Sequence, residues 1–138
     1  MNDTQPGDWI QIAFGSLMAA KRCFEERQFR SCVSRAYYAM YQATTAMLTH
    51  AGLKPGVKGN WSHTGTAKSV ADDRMREVLD KYRVRPVRLR EDLIRSFGLR
   101  CDADYRPFKK IDEDAGRNML RLANKCLTLA RKVTSSHD

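Results

Sequence analysis

RSCVSRAYYAMYQATTAMLTHA, residues 30–51, is the segment that decides the fold. At helical spacing Val33, Ala36, Met40, Ala43 and Met47 fall on one face, and Tyr37, Tyr38, Tyr41, Thr45 and Leu48 on the face beside it. A helix that is apolar over most of its girth must be surrounded, so this one is expected at the centre of a bundle. Gly52, with Pro55 and Gly56 behind it, supplies the stop. Arg35 lies one turn before Tyr38 and Tyr41 one turn after it, so a guanidinium and two phenols can share a face. Polar groups on so apolar a helix must find partners or forfeit their hydration.

The flanking sequence supplies the neighbours. From 8 to about 28, Ile10, Ala13, Leu17, Ala20 and Phe24 step by three and four, and Asp8 is placed to cap the first turn. Residues 52–65 hold four glycines, one proline, Trp61 and His63, and read as an exposed connection. Across 64–82 a thinner pattern of Ala67, Val70, Ala71, Met75, Val78 and Leu79 predicts one surface helix. Pro86 starts a further helix through Leu89, Leu93, Ile94 and Phe97, with Gly98 as its kink or end. Asp112 caps a last helix reaching about 133, whose Ala115, Met119, Leu122, Cys126, Leu129 and Val133 alternate steps of four and three. No stretch alternates with period two. The expected fold is all-α, an up-down bundle of four to six helices forming one domain over 1–138.

The chain has 138 residues, 42% of them hydrophobic, which is enough for one core and too little for two domains. Its 25 Lys and Arg against 16 Asp and Glu give a formal charge of +9, a balance that favours polyanionic partners. Cys23, Cys32, Cys101 and Cys126 lie far apart with no CxxC pair, so neither a zinc site nor a disulfide framework is expected, and no metal or cofactor. The polar amino terminus and the lack of an 18-residue apolar run lead to the expectation of a soluble, cytoplasmic protein. Walker, GxGxxG, HExxH and nucleophile-elbow patterns do not occur, and the usual enzyme classes draw no support.

Two places concentrate chemistry. The first is Arg35 with Tyr38 and Tyr41, either a structural network closed by a carboxylate from another helix or a guanidinium facing a phosphate. The second is Arg100-Cys101-Asp102-Ala103-Asp104-Tyr105. If the helix persists past Gly98, Arg100 and Asp104 form an i,i+4 pair, in the weaker of the two orders, with Tyr105 beside them. That pair is either an ion pair without chemistry or a site where Arg100 neutralises a phosphoryl oxygen, Asp104 orients it and Tyr105 touches the substrate. A basic run of Lys81, Arg83, Arg85, Arg88 and Arg90 suits an RNA backbone, or else forms a solvated face, as do Arg117, Arg121 and Lys125. His63 is the one histidine within the Gly-rich connection, and Trp61 beside it can stack on a base.

SRAYYAM with Tyr41, residues 34–41, followed by small and apolar residues to Gly52, His63 in the loop, and RxxADY at 100–105 ahead of a long last helix together resemble the HEPN family. These are small all-α prokaryotic domains that often travel with a minimal nucleotidyltransferase. The resemblance implies a dimerising bundle whose polar sites meet at the subunit interface, and metal-independent ribonuclease activity in toxin-antitoxin or phage-defence modules. Taken with the constellations above, the candidate catalytic residues are Arg100, Asp104 and Tyr105, and the candidate RNA or nucleotide contacts are Arg35, Tyr38, His63, Arg83, Arg85 and Arg88. Active members carry an Arg followed after four to six residues by a His. Here Tyr105 occupies the corresponding position, and a phenol, which titrates near 10, is a poor general base at neutrality. Cleavage is therefore expected to be slow or absent. The alternative is a non-catalytic module that docks a nucleotidyltransferase or another effector, with Tyr105 as an acceptor of nucleotidyl groups.

Overall fold

The computed structural model describes residues 4–55 and 61–135. Six helices follow one another: α1 Pro6–Glu25, α2 Phe29–His50, α3 His63–Ser69, α4 Asp73–Asp80, α5 Pro86–Tyr105 and α6 Glu113–Thr134. Among the described residues there is no strand. The expected all-α bundle is what forms, and α2 is its axis: 12 of its 22 residues are buried, and α1, α5 and α6 all pack on it.

Small residues let these helices close up. Ala13 and Ala20 of α1 and Ala123 and Ala130 of α6 are fully buried, alongside Ala36, Ala39 and Ala43 of α2. Met40, Met47, Leu48, Met119 and Leu127 fill the remaining space, each burial worth about 2 kcal/mol. Below them Val70, Met75 and Leu79 anchor the short helices, and the Tyr82 hydroxyl donates to the Lys132 carbonyl at 3.0 Å, tying the end of α4 to the last turn of α6.

Several sequence expectations are corrected at the element level. Asp8 does not precede α1; it sits in the first turn, and its Oδ2 accepts the Gln5 backbone N–H at 2.9 Å. The single helix expected across 64–82 is two, because Asp72 caps α4 by accepting the Arg74 N–H at 2.9 Å and the chain turns between them. Residues 52–65 are not all loop: Ser62 caps α3 by accepting the Gly65 N–H at 2.9 Å. A Cβ on Gly65 would lie 2.7 Å from that Ser62 Oγ, so a side chain there would make the capping hydroxyl shift. Residues 56–60 of this segment lie outside the described residues. Gly52, at φ +87°, does end α2 as expected. Gly98 does not end α5, which continues to Tyr105 and thereby brings RxxADY onto a helix.

What fixes the end of α5 is Arg30, in the first turn of α2. Its guanidinium donates to the carbonyls of Asp102 (3.2 Å), Ala103 (2.9 Å), Arg106 (3.3 Å), Pro107 (3.1 Å) and Lys109. The last carbonyls of a helix have no partner within it. One cation from the neighbouring helix satisfies them and holds the following turn as well.

Candidate functional site

Because α5 is unbroken, Arg100 and Asp104 do pair at i,i+4, with Nε 2.8 Å from Oδ2. The Nε–H is not aimed along that line and forms no hydrogen bond, so the contact is electrostatic. Ser34 on α2 donates to the same Oδ2 at 3.1 Å. Arg100 Nη2 donates to the Tyr38 hydroxyl at 2.7 Å and reaches the Tyr105 hydroxyl at 3.5 Å. Its Cζ stands 5.2 Å from the Tyr38 ring centroid and 5.4 Å from that of Tyr105, so the guanidinium lies between two aromatic faces. Burial opposes the Arg100 charge, but Tyr38, Tyr105 and Asp104 outweigh it and raise its pKa. The Arg100 side chain is 12% exposed and that of Asp104 26%, while Tyr105 is 68% exposed, so the cluster lies at the surface with its cation tucked in.

Next to it stands a histidine that the sequence reading placed in a loop. His63 opens α3, and its Nδ1 is 2.7 Å from the Tyr37 hydroxyl. Its ring sits among those of Tyr41 (4.7 Å between centroids), Phe97 (5.0 Å), Tyr37 (5.4 Å) and Tyr38 (6.0 Å). Tyr38 thus touches both the Arg100 guanidinium and the His63 imidazole, which share its neighbourhood although 37 positions separate them in sequence. Burial, and then the positive charge of Arg100, lower the His63 pKa below 6.5. Burial, followed by the Tyr41 neighbour, drives Tyr37 far above the ordinary phenol value. At neutral pH a neutral imidazole therefore faces a protonated phenol. If Nδ1–H donates to the phenolic oxygen, Nε2 has a free lone pair; if the phenol donates to Nδ1, Nε2 carries the proton.

A cavity of about 340 Å³ opens beside this group, between α2, α3 and α5. Tyr37, Tyr41 and Phe97 wall it, His63 and Thr66 stand along α3, and Lys68 and Arg90 belong to its lining. The Tyr41 hydroxyl donates to the Trp61 carbonyl at 2.7 Å, which fastens the chain entering α3 against α2.

Of the residues singled out in the sequence, Arg100, Asp104, Tyr105, Tyr38 and His63 come together. Arg35 does not join them: it is exposed on α2, and the guanidinium on Tyr38 comes from α5 instead. Arg83, Arg85 and Arg88 are exposed at the other end of α5, at least 12 residues and about 18 Å of helix from Arg100, and Arg88 faces Asp92 at 3.9 Å. Ser34, Tyr37, Thr66, Lys68 and Phe97 were not foreseen as site residues. Tyr37 and Phe97 read as core, and nothing in the spacing of α3 announces Thr66 or Lys68. Among the described residues no group of three or more His, Cys, Asp or Glu is placed to hold a metal ion, and no helix is long and apolar enough to cross a membrane. Buried Cys126, its thiol pushed up to about 11 by desolvation, and Cys32, raised likewise, lie in the core away from this cluster.

An all-helical bundle with an Arg, Asp and Tyr cluster on the penultimate helix, answered by tyrosines of the central one, defines a class of small helical domains. The chain belongs to the HEPN domain family, whose pattern it matches over residues 7–133. It is 31% identical over 111 residues to a protein of Methanocaldococcus jannaschii named "Putative toxin MJ0605", covering 77% of this chain and 72% of that one. It is also 30% identical over 122 residues to a UPF0332 protein of Archaeoglobus fulgidus, covering 86% of each.

Proposed function

We propose that this protein binds RNA and cleaves it slowly without a metal, as part of a toxin-antitoxin or phage-defence module. The observation that carries the reading is the meeting of Arg100 and His63 on the Tyr38 ring. The sequence offers no histidine four to six positions after the arginine; α3 supplies one from elsewhere. In this reading Nε2 of neutral His63 takes the proton of a ribose 2′-OH while the 2′-oxygen attacks the adjacent phosphorus. The P–O5′ bond breaks, the leaving oxygen takes a proton from water, and the imidazolium returns its own to solvent. Arg100 neutralises the phosphoryl oxygens as charge builds on them, and Asp104, held by Ser34, orients the guanidinium. The name of the archaeal toxin relative and the charge of +9 support the same setting. The homodimer belongs to this reading too, and sedimentation of the purified protein tests it.

Purified protein incubated with total RNA, beside Arg100→Ala and His63→Asn, is the test. We expect cleavage by the native protein, a loss of about a hundredfold or more in Arg100→Ala and of a similar size in His63→Asn. Equal cleavage by native protein and Arg100→Ala, or none by any of the three, refutes the assignment.

A second reading rests on Tyr105, whose ring is 68% exposed while its hydroxyl lies 3.5 Å from Arg100 Nη2. If that oxygen attacks the α-phosphorus of a nucleoside triphosphate held by the partner enzyme, the bond to the leaving pyrophosphate breaks, the phenolic proton passes to solvent, and the new phosphodiester lies next to a guanidinium. Co-expression with a nucleotidyltransferase encoded beside this protein should add the mass of a nucleotidyl group, and Tyr105→Phe should remove it. An unchanged mass in the co-purified native protein rejects the acceptor role.

A further inference from the structure

The cavity next to His63 has the properties of a base-binding subsite, and the following rests on the RNA reading above. We infer that it receives one unpaired nucleobase of a single-stranded RNA whose neighbouring phosphate lies at Arg100.

Size comes first: about 340 Å³ is near the lower end of small-ligand sites and suits one nucleoside. The walls come next. Tyr37, Tyr41 and Phe97 present aromatic surface, and Ile94 remains 52% exposed at the lining, an apolar side chain that a stacked base would cover. Third, the Thr66 hydroxyl is fully buried in this lining, where it interacts with the Tyr41 phenol without a well-formed hydrogen bond to any described residue. A buried hydroxyl so weakly engaged keeps hydrogen-bonding capacity in reserve, and a base edge offers both donors and acceptors to use it. Finally, charge is set at the two ends. Arg90 and Arg100 stand ten residues apart on α5, about 15 Å along its axis, with Phe97 between them and Lys68 across from Arg90 on α3. An aromatic cleft with cations about 15 Å apart on either side suits a strand of a few nucleotides that turns one base into the cleft and lays its phosphates along α5, a mode of binding for unpaired strands rather than duplexes.

The probe is a fluorescently labelled single-stranded oligoribonucleotide, compared by anisotropy with the same sugar-phosphate chain carrying abasic positions. Native protein should bind the base-bearing strand about tenfold tighter. Thr66→Val should shrink that ratio severalfold. Lys68→Ala and Arg90→Ala, both at exposed positions and safe for folding, should each weaken binding of the base-bearing strand and reduce its salt slope by about one unit. Arg121→Ala, exposed on α6, should change neither quantity. Equal affinity of native protein for the two strands overturns the inference, as does a ratio that Thr66→Val leaves intact in a folded variant. If both strands bind equally and Arg100→Ala abolishes both, the subsite is wrong while the RNA reading stands. If neither strand binds the native protein, both fall.

Discussion

At the scale of single residues, the decisive substitution is one of position. Tyr105 stands five residues after Arg100, where the family resemblance raises the expectation of a histidine, and His63 comes from another helix to the Tyr38 ring that Arg100 also meets. Its burial has two measurable consequences. A base must be unprotonated to act, so under the proposed ribonuclease role of His63 the rate of RNA cleavage should be flat near neutrality and fall as acid is added, through a pKa below 6.5. Stability follows the same sign. The folded protein binds the His63 proton less tightly than the unfolded chain, so this contribution is intact above pH 6.5 and lost as pH drops through the lower, folded value. Thermal melts of native protein and His63→Asn at pH 7.5 and pH 5 measure it: the native protein should lose more of its melting temperature, and parallel shifts would contradict the burial argument. Arg100 plays a double part, bridging α5 to α2 through Tyr38 while presenting charge next to exposed Tyr105. Replacing it by Ala should therefore also cost about 1–2 kcal/mol in a denaturant titration, through two lost ring contacts and an unpaired Asp104.

At the scale of elements, the site depends on α5 reaching its full length. Arg30 does this from outside by taking up the carbonyls at its end. Arg30→Met keeps the side chain's bulk but strands several carbonyls, and should lower stability by about 2 kcal/mol while impairing RNA binding as severely as loss of Arg100. Full binding by a folded Arg30→Met would show that α5 holds its last turn unaided. Gly98 is the internal weak point, with nothing within 4 Å of where its Cβ would be. Gly98→Ala should accordingly raise stability by about 1 kcal/mol and leave the Arg100 cluster working. These helices also show what a sequence can convey. The 3.6-residue periodicity of α1, α2 and α6 is a local property of amphipathic segments, so those helices, and the central place of α2, are legible. The split between α3 and α4 was missed because one Asp72 cap outweighs a continuous, weak apolar pattern. Gly98 misled in the other direction, since a glycine tolerated on an open helix surface looks the same on paper as one that ends a helix. RxxADY could be marked because its residues are contiguous. The union of His63, Thr66 and Phe97 could not, because it is made by tertiary packing across 34 positions of chain.

At the scale of the molecule, charge is plentiful but unevenly useful. Arg83, Arg85 and Arg88 made the basic run conspicuous, yet they lie far from Arg100 and outside the cleft lining that Arg90 joins, and Arg88 faces an acid. The cations in the cleft lining are Arg90 and Lys68, and Arg100 stands nearby on Tyr38. This makes a quantitative distinction between diffuse and focused attraction. If those three neutralise phosphates of a single strand, the logarithm of affinity should fall against the logarithm of salt with a slope of about −2, so that a threefold rise in salt weakens binding about tenfold. If instead the whole excess of +9 gathers RNA onto the surface, the slope should be about three times as steep and should respond to Arg83→Ala and Arg85→Ala as strongly as to Arg90→Ala. Titrations of a labelled single strand at four salt concentrations separate the two cases. We expect the shallow slope, with Arg90→Ala reducing it and Arg83→Ala leaving it unchanged, because a cleft fixes the number of phosphates it can meet whereas a uniformly positive surface does not.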